Sequence, residues 1–439
     1  MYETRLKKKH IRKSVKMSKL FNFNKSIIFE NNNFRNLWFA RTISYFGDSL
    51  YNIALMWLVY EKTGSAFHVG LILVAKFLPQ LLFSIIFGVW IDKWNRKWLM
   101  QISDFIQAFT TGVFAVLLFV DVFELQYIYI ITIILSLCNN LFGISNTSIL
   151  PELVKKDLLI TANSLLSTSQ QVARLVGSTV GGILIAYTGE ATVIAINAIT
   201  FFVSLAFIQF IRYDYTPNQQ EGVKHSLIND IVEGFTWLKK ERALLTLILI
   251  GMLSNVALGP TNVLPPMLIK EDFNGTAAAL GVFDSFIGIG LLAGAVFVGI
   301  VSPKKIGMWF SFGLGMQSIG MFVISFSPNL IFANLGNLIL GIAIIITNIP
   351  MSTFFQVMVP TNMRGRINSI SSVSFNFSIP ITYGVVGILA DKIGAQEVYA
   401  IGTAMLFICV VLAFTNKELV KSFIGADEGK KQEQVERNL

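Results

Sequence analysis

Four ionisable residues stand out among those that interrupt stretches of sequence otherwise apolar enough to cross a bilayer: Asp48, Lys76, Arg174 and Asp284. A charge inside a membrane helix costs about 2.5–3.5 kcal/mol on insertion scales, so such residues usually serve a function. Their available chemistry is proton exchange and ion pairing. We predict that Asp48 carries a coupling proton, with Asp284 as the alternative carrier. Lys76 and Arg174 are candidate tuning or substrate-binding cations, although Asp48 and Lys76 could equally form a structural ion pair.

The surrounding sequence has the composition of a membrane protein. Of 439 residues, 54% are hydrophobic and only 14% are charged, whereas soluble domains carry about 25% charged residues. A spanning helix needs roughly 20 apolar residues. Twelve stretches meet this requirement: 36–60, 67–91, 98–120, 126–149, 164–187, 191–212, 243–268, 277–301, 307–326, 329–354, 368–390 and 397–416. The sequence therefore predicts an all-α membrane protein with twelve transmembrane helices in two six-helix bundles.

Polar segments divide the chain into five parts. We predict a basic cytoplasmic N-terminal tail 1–35, a first bundle 36–212, a linker 213–242, a second bundle 243–416 and a C-terminal tail 417–439. Leu227, Ile231, Phe235 and Leu238 recur at helical spacing in the linker, which indicates an amphipathic helix on the membrane surface. Sequence echoes at an offset slightly above 200 residues indicate that the bundles are repeats.

Positive charge is distributed unevenly between the two sets of loops. Lys and Arg cluster in the loops on the side of the N-terminus, and the opposite loops carry only Lys62, Lys270 and Lys392. Short basic loops remain in the cytoplasm. We therefore predict a multi-pass protein of the bacterial cytoplasmic membrane with both termini cytoplasmic. The net charge of +9 reflects this topology, so we expect no nucleic-acid partner.

The connection between the second and third predicted helices contains Gly88, Asp92, Lys93, Arg96 and Lys97. Gly88 could let two helices approach closely. The carboxylate of Asp92, at the membrane edge, could cap the next helix or pair with a cation. The basic residues would anchor the loop in the cytoplasm. Two turns further on, Asp104 is expected to support this loop.

A second small-residue motif lies in the fifth predicted helix. It consists of Gly177, Ser178, Gly181 and Gly182, which follow Arg174. Residues this small form tight helix contacts.

Both motifs resemble those of the major facilitator superfamily. The loop matches the family signature Gly-x-x-x-Asp-Arg/Lys-x-x-Arg-Lys/Arg at every position, and the resemblance implies that Asp92 belongs to a gating charge lock. The fifth-helix motif is similar to the exporter motif Gly-Pro-x-x-Gly-Gly, with Ser178 replacing proline. Further segments resemble the macrolide-efflux and enterobactin-exporter-like branch of drug:proton antiporters: 47–48, 63–65, 151–154, 162–165 and 364–366. The fourth helix lacks the arginine found in many drug antiporters.

Amide side chains are the expected lining of a substrate cavity. The candidates are Asn139, Asn140, Asn255, Asn262, Asn337 and Asn348. Pro260, Pro265 and Pro266 in the seventh helix and Pro350 in the tenth predict broken segments beside a cavity. The sequence contains no P-loop, catalytic triad or metal-ligand cluster. We therefore expect neither an enzyme nor a cofactor or metal.

Three functions remain open at this point. The first is a proton-coupled secondary exporter of an amphipathic drug, macrolide or siderophore-like metabolite, working by alternating access. The second is a lipid or lysolipid flippase, with Lys76 and Arg174 as its headgroup site. The third is a membrane sensor or scaffold that transports nothing. The expected partners are a small-molecule substrate, protons and membrane lipid, and the expected state is a monomer.

Overall fold

The computed structural model describes residues 27–122, 124–213, 235–239, 241–301, 305–360 and 363–416. Within these ranges the chain is helical apart from short connections, and it contains no β-strand. This confirms the predicted all-α class. Residues 1–26, most of the predicted amphipathic linker and the predicted C-terminal tail lie outside the described residues.

Twelve main helices follow one another in these ranges, and the seventh reaches the length of a membrane span only together with the short helix Pro260–Val263 that follows it. The stretch Leu159–Gln209 contains two of them, α5 (159–188) and α6 (190–209), which are separated at Gly189 by a left-handed backbone (φ 78°, ψ 167°). The other helices are α1 Asn32–Thr63, α2 Ala66–Lys93, α3 Arg96–Phe119, α4 Leu125–Leu153, α7 Arg242–Ala257, α8 Ala277–Val301, α9 Ile306–Ser325, α10 Leu330–Met358, α11 Arg364–Ile393 and α12 Ala395–Thr415.

Hydropathy supports eleven of these twelve helices. Ten stretches of the described residues are long and apolar enough to cross a bilayer, and one of them, Lys156–Gln209, includes both α5 and α6. The helix α1 is 32 residues long but is not among the ten, and it contains both Arg41 and Asp48.

Proline breaks the seventh helix as predicted. After α7 ends at Ala257, the chain continues as the short helices Pro260–Val263 and Pro265–Met267 and a π-helical turn, Leu268–Asp272. Proline lacks the N–H that a continuous helix requires. The predicted break in the tenth helix is absent, because α10 runs through Pro350.

The chain divides into two compact units. The first contains Met1–Asn52, Pro79–Gly177 and Thr188–Gln219; the second contains Ile53–Leu78, Ser178–Tyr187 and Gln220–Leu439. We call the end of the helices at the α1–α2 connection distal and the end at the α2–α3 connection proximal. The distal parts of α1 and α2 thus belong to the second unit, together with the helices of the C-terminal half.

The first unit is packed from Ile27 onward. Ile27 and Phe34 are buried in a hydrophobic cluster with Leu150 of α4 and Ile208 of α6. Ile27 and Phe34 of the segment 27–34, which was predicted as part of a polar tail, belong to this core. The segment was assigned to the tail because its few apolar side chains directly follow the basic N-terminal residues and form too short a stretch to span a membrane.

Candidate functional site

Asp48 lies at the middle of α1, between two close helix contacts of the first unit. A Cβ atom added at the preceding residue, Gly47, would lie 2.0 Å from Oγ1 of Thr200 in α6. On the other side, a Cβ atom added at Gly177 of α5 would lie 2.6 Å from Cβ of Ser49. These contacts hold α1 against α5 and α6 on either side of the half-buried Asp48, so the backbone that carries its carboxylate is held by packing.

The other predicted intramembrane charges are placed as follows. Arg174 is exposed, and its carbonyl accepts a hydrogen bond from Oγ of Ser49 at 3.0 Å. Lys76 and Asp284 are half-buried in the second unit. The roles of these residues as proton carrier or tuning cations stay predictions.

Asp104 is part of the interior of the first unit and does not support the α2–α3 connection, so that prediction was wrong. It is 1% exposed, and its Oδ2 accepts a hydrogen bond from Oγ of Ser204 in α6 at 2.6 Å. Its Oδ1 has no hydrogen-bond partner among the residues that the structure describes. The prediction failed because Asp104 lies two turns into α3, where its side chain contacts α6 and not the loop.

Arg41 is a further charge that the sequence reasoning missed. Its guanidinium lies 4.2 Å from the ring centroid of Tyr45 and 4.7 Å from that of Phe142. Its Nη2 donates a hydrogen bond to the Tyr45 hydroxyl at 2.8 Å. Contacts of this kind stabilise a cation away from water. The available signal was an arginine inside the predicted span 36–60.

Ser178, Gly181 and Gly182 of the exporter-like motif lie where α5 meets α8 in the second unit, whereas Gly177 contacts Ser49 in the first unit. A Cβ atom at Gly182 would lie 2.4 Å from the carbonyl oxygen of Ala277, and one at Gly281 would lie 2.3 Å from that of Ser178. Ser178 and Gly181 are also buried. Only glycine allows so close an approach, so the motif forms a close helix contact without the missing proline.

The basic residues of the α2–α3 connection bind other segments of the first unit. Arg96 forms an ion pair with Glu152 at the end of α4, and its Nη1 donates to the Tyr213 hydroxyl at 3.3 Å. Nζ of Lys97 donates to the carbonyl of Gln209 at 2.9 Å, while Lys93 is exposed. The connection is thus tied to α4 and to the end of α6.

The other two residues with a predicted role in this loop motif are Gly88 and Asp92. A Cβ atom at Gly88 would meet no atom of the described residues within 4 Å, so the described part of the chain shows no close helix approach there. The side chain of Asp92 is not among those that the structure describes, and its gating role stays a prediction.

At the distal end, Asp391 of α11 caps the N-terminus of α2. Its Oδ1 accepts a hydrogen bond from the Ala66 amide at 2.6 Å, and its Oδ2 accepts from the Phe67 amide at 3.2 Å and from Oγ of Ser65 at 2.5 Å. A carboxylate satisfies unpaired amides there and interacts favourably with the helix dipole. One turn earlier, a Cβ atom at Gly387 would lie 2.6 Å from Cα of Phe67. We call Asp391, Gly387 and residues 65–67 the distal latch.

Acidic groups lie at the same end of the second unit. The Tyr60 hydroxyl donates a hydrogen bond to Glu271. Partial burial, followed by the charges of Glu397 and Glu271, raises the pKa of Asp272 to about 6. The sequence reasoning singled out neither these acids nor the distal latch.

The predicted cavity amides fall into two groups. Asn337, 3% exposed, donates a hydrogen bond to the carbonyl of Phe283 at 2.6 Å, and Asn140 donates to that of Gln80 at 3.1 Å. Asn337 therefore joins two packed helices and does not line an open cavity. Four amides are exposed, and their cavity role stays a prediction: Asn139, Asn255, Asn262 and Asn348.

A family profile described as transmembrane secretion effector matches residues 27–430. The chain belongs to this family of major facilitator transporters. Macrolide efflux protein A of Streptococcus pyogenes is 22% identical over 390 residues, covering 88% of this transporter and 96% of the relative. The MFS-type transporter YvqJ of Bacillus subtilis is 23% identical, covering 84% and 89%. The nucleoside transporter NupG shares the fold, with a TM-score of 0.68 at 16% identity, covering 88% and 99% of the two chains.

These findings confirm a transporter of the macrolide-efflux branch and an assignment outside the enzymes. They also make the Arg96–Glu152 ion pair testable as a gating contact. Arg96→Gln should slow transport several-fold without changing substrate affinity, because the pair lies in the α2–α3 connection. Glu152 is 42% exposed, so the loss of stability should be at most about 1 kcal/mol. Transport rates in proteoliposomes and the melting temperature measure both effects.

A double-mutant cycle provides the control for the gating contact. Arg96→Gln combined with Glu152→Gln should be no slower than either single variant, since both remove one interaction. Additive losses would contradict a shared role for the pair. Lys156→Gln removes an exposed charge that lies outside this loop motif, and it serves as the matched variant.

Proposed function

We propose that this transporter is a proton-coupled exporter of an amphipathic small molecule, such as a macrolide, another drug or a siderophore-like metabolite. The relative named macrolide efflux protein A supports the substrate class. The observation that carries the coupling proposal is the position of Asp48, half-buried at mid-helix between the contacts at Gly47 and Ser49. The transporter resides in the cytoplasmic membrane with both termini cytoplasmic.

Protonation of Asp48 is the proposed coupling step. The bound proton removes the carboxylate charge and frees its cation, Arg174 or Lys76. Loss of the proton restores the charge. Because a ligand shifts a conformational equilibrium only by its differential affinity for the two states, this scheme requires that one conformation binds the proton more tightly than the other.

Alternating access would use contacts at both ends of the helices. In this scheme the distal latch closes the outer end, and opening that end breaks the hydrogen bonds from Asp391 to residues 65–67. The Arg96–Glu152 ion pair controls the movement of the proximal loop. Each contact stabilises one conformation, so neither needs to touch the substrate.

Export can be tested in bacteria that lack their own efflux pumps. Cells producing the transporter should accumulate less of at least one macrolide, drug or siderophore from a labelled panel, and a protonophore should abolish the difference. Lysolipids in the same panel test the flippase alternative. Equal accumulation of every compound with and without the transporter would contradict export of these classes.

The proposed topology has its own test by cysteine labelling. A membrane-impermeant maleimide should modify Lys62→Cys in intact cells but Lys156→Cys only after permeabilisation, because the two positions lie at opposite ends of the helices. Background labelling should be low, since Cys138 and Cys409 are both buried. Modification of both introduced cysteines from outside would overturn the orientation.

A further inference from the structure

A polar groove lies at the proximal end of the first unit. Its volume is about 790 Å³, which falls within the range of small-molecule sites, roughly 300–1,000 Å³. Three cations line it: Arg35 at the start of α1, Lys155 after α4 and Arg212 after α6. Glu30 is the one acidic residue of the lining. We call this cavity the proximal groove; its lining carries an excess of positive charge.

Hydrogen bonds fix the walls of the proximal groove. Nδ2 of Asn33 donates to the carbonyl of Arg212 at 2.9 Å, and the Arg212 amide donates back to Oδ1 of Asn33 at 2.9 Å. Nδ2 of Asn31 donates to the carbonyl of Leu153 at 2.7 Å. Phe34, buried in the hydrophobic core, supports the same segment from below. The backbones that carry Arg35 and Arg212 are thus held in place by the fold.

The three cations have no carboxylate within ion-pair distance among the described parts of the chain. Nearby Arg96, in contrast, is paired with Glu152. Like charges that line one cavity repel each other, and an anion bound between them would relieve that repulsion. A phosphate group matches this requirement, since guanidinium groups bind its oxygens in bidentate geometry.

Apolar side chains beside the cations favour a lipid as the source of that phosphate. Phe210 lines the groove and is 70% exposed, and Ile160 nearby is 81% exposed. Leu158 also lines the groove. These side chains lie at the ends of membrane-length helices, where headgroups and the upper parts of acyl chains are the surrounding medium. Basic pockets at this level of a membrane protein bind anionic headgroups.

We infer that the proximal groove binds the phosphate-bearing headgroup of an anionic phospholipid through Arg35, Lys155 and Arg212. The bound lipid joins the start of α1 to the ends of α4 and α6. This inference is independent of the transported substrate and of proton coupling, because neither Asp48 nor any residue of the exporter-like motif lines the groove.

Native mass spectrometry of the full chain in detergent tests the inference. Phosphatidylglycerol and phosphatidylcholine with identical acyl chains are titrated separately, and glycerol 1-phosphate is added as a soluble competitor. Phosphatidylglycerol should bind more tightly than phosphatidylcholine. Each Gln substitution at Arg35, Lys155 or Arg212 should weaken that binding about fivefold, the usual contribution of a basic residue at an anionic surface. The triple variant should lose on the order of 100-fold.

Matched substitutions distinguish lipid binding in the groove from general attraction between the lipid and positive charge. The control triple variant Lys156→Gln, Lys239→Gln and Arg242→Gln removes three cations that do not line the groove, and it should bind phosphatidylglycerol like the wild type. Equal affinity for the two lipids, an equal loss in the control, or unchanged binding in the groove variant would overturn the inference. Complete displacement by glycerol 1-phosphate at the lipid's own concentration would assign the groove to a soluble phosphate ester. If the triple variant fails to fold, the single variants Lys155→Gln and Lys156→Gln are compared, and only Lys155→Gln should weaken the binding of phosphatidylglycerol.

Discussion

Asp48→Asn is expected to abolish accumulation driven by a pH gradient while downhill exchange of substrate continues. Asparagine has nearly the shape of aspartic acid but takes up no proton at physiological pH, so the contacts at Gly47 and Ser49 should persist. One proton moving down one pH unit supplies about 1.4 kcal/mol, enough for roughly a tenfold concentration ratio. In proteoliposomes with that gradient, the ratio should fall from about ten to one if one proton drives each export step.

Three variants control the assignment of Asp48. Asp48→Glu keeps a titratable carboxyl group and should retain part of the accumulation. Asp104→Asn and Asp284→Asn remove the other intramembrane acids, of which Asp104 is hydrogen-bonded to Ser204 inside the first unit. If Asp48→Asn accumulates substrate normally and one of these variants does not, the proton site lies at that other acid and Asp48 has a structural role.

Local signals in the sequence were sufficient to predict the helices. Hydropathy predicted spans such as 277–301, which α8 reproduces as Ala277–Val301. The small residues Gly177 and Gly182 predicted tight contacts, since small residues let membrane helices approach closely. The family resemblance rested on the loop motif and the fifth-helix motif, and it was confirmed by a profile covering residues 27–430.

Partners between distant helices could not be predicted in the same way. Asp391 contacts Ala66 across 325 positions of sequence, and nothing local to either residue indicates the other. Asp104 was placed with the nearest loop, but its partner Ser204 lies 100 residues away. The proximal groove brings together cations from the start of α1 and from the segments after α4 and α6, and nothing local to any of them indicates the other two.

The distal latch leads to the second large expected effect, that of Gly387→Leu. A Cβ atom at position 387 would lie 2.6 Å from Cα of Phe67 and 2.7 Å from the carbonyl oxygen of Ala66. Backbone atoms cannot move aside as a flexible side chain can, so α11 and α2 must separate. Overpacking costs about 1–3 kcal/mol, which shifts the closed-to-open ratio about 5- to 150-fold. Transport should therefore fall by at least about fivefold.

Thiol labelling at a position that is buried in this structure measures the opening of the distal latch directly. Val69 is 1% exposed, so a cysteine there should resist a hydrophilic thiol reagent in the otherwise wild-type protein and react in the Gly387→Leu background. Asp391→Asn keeps the side-chain shape but removes the charge that caps α2, and it should shift reactivity in the same direction by a smaller factor.

Gly384→Leu is the matched control for the distal latch, because it makes the same substitution three residues earlier in α11. A Cβ atom at Gly384 would meet nothing within 4 Å, so this variant should transport at close to the wild-type rate and keep position 69 protected. Equal impairment of both glycine variants would trace the effect to α11 in general. If the Gly387→Leu variant transports normally and a cysteine at position 69 in that variant stays unreactive, the distal latch has no role in the transport cycle.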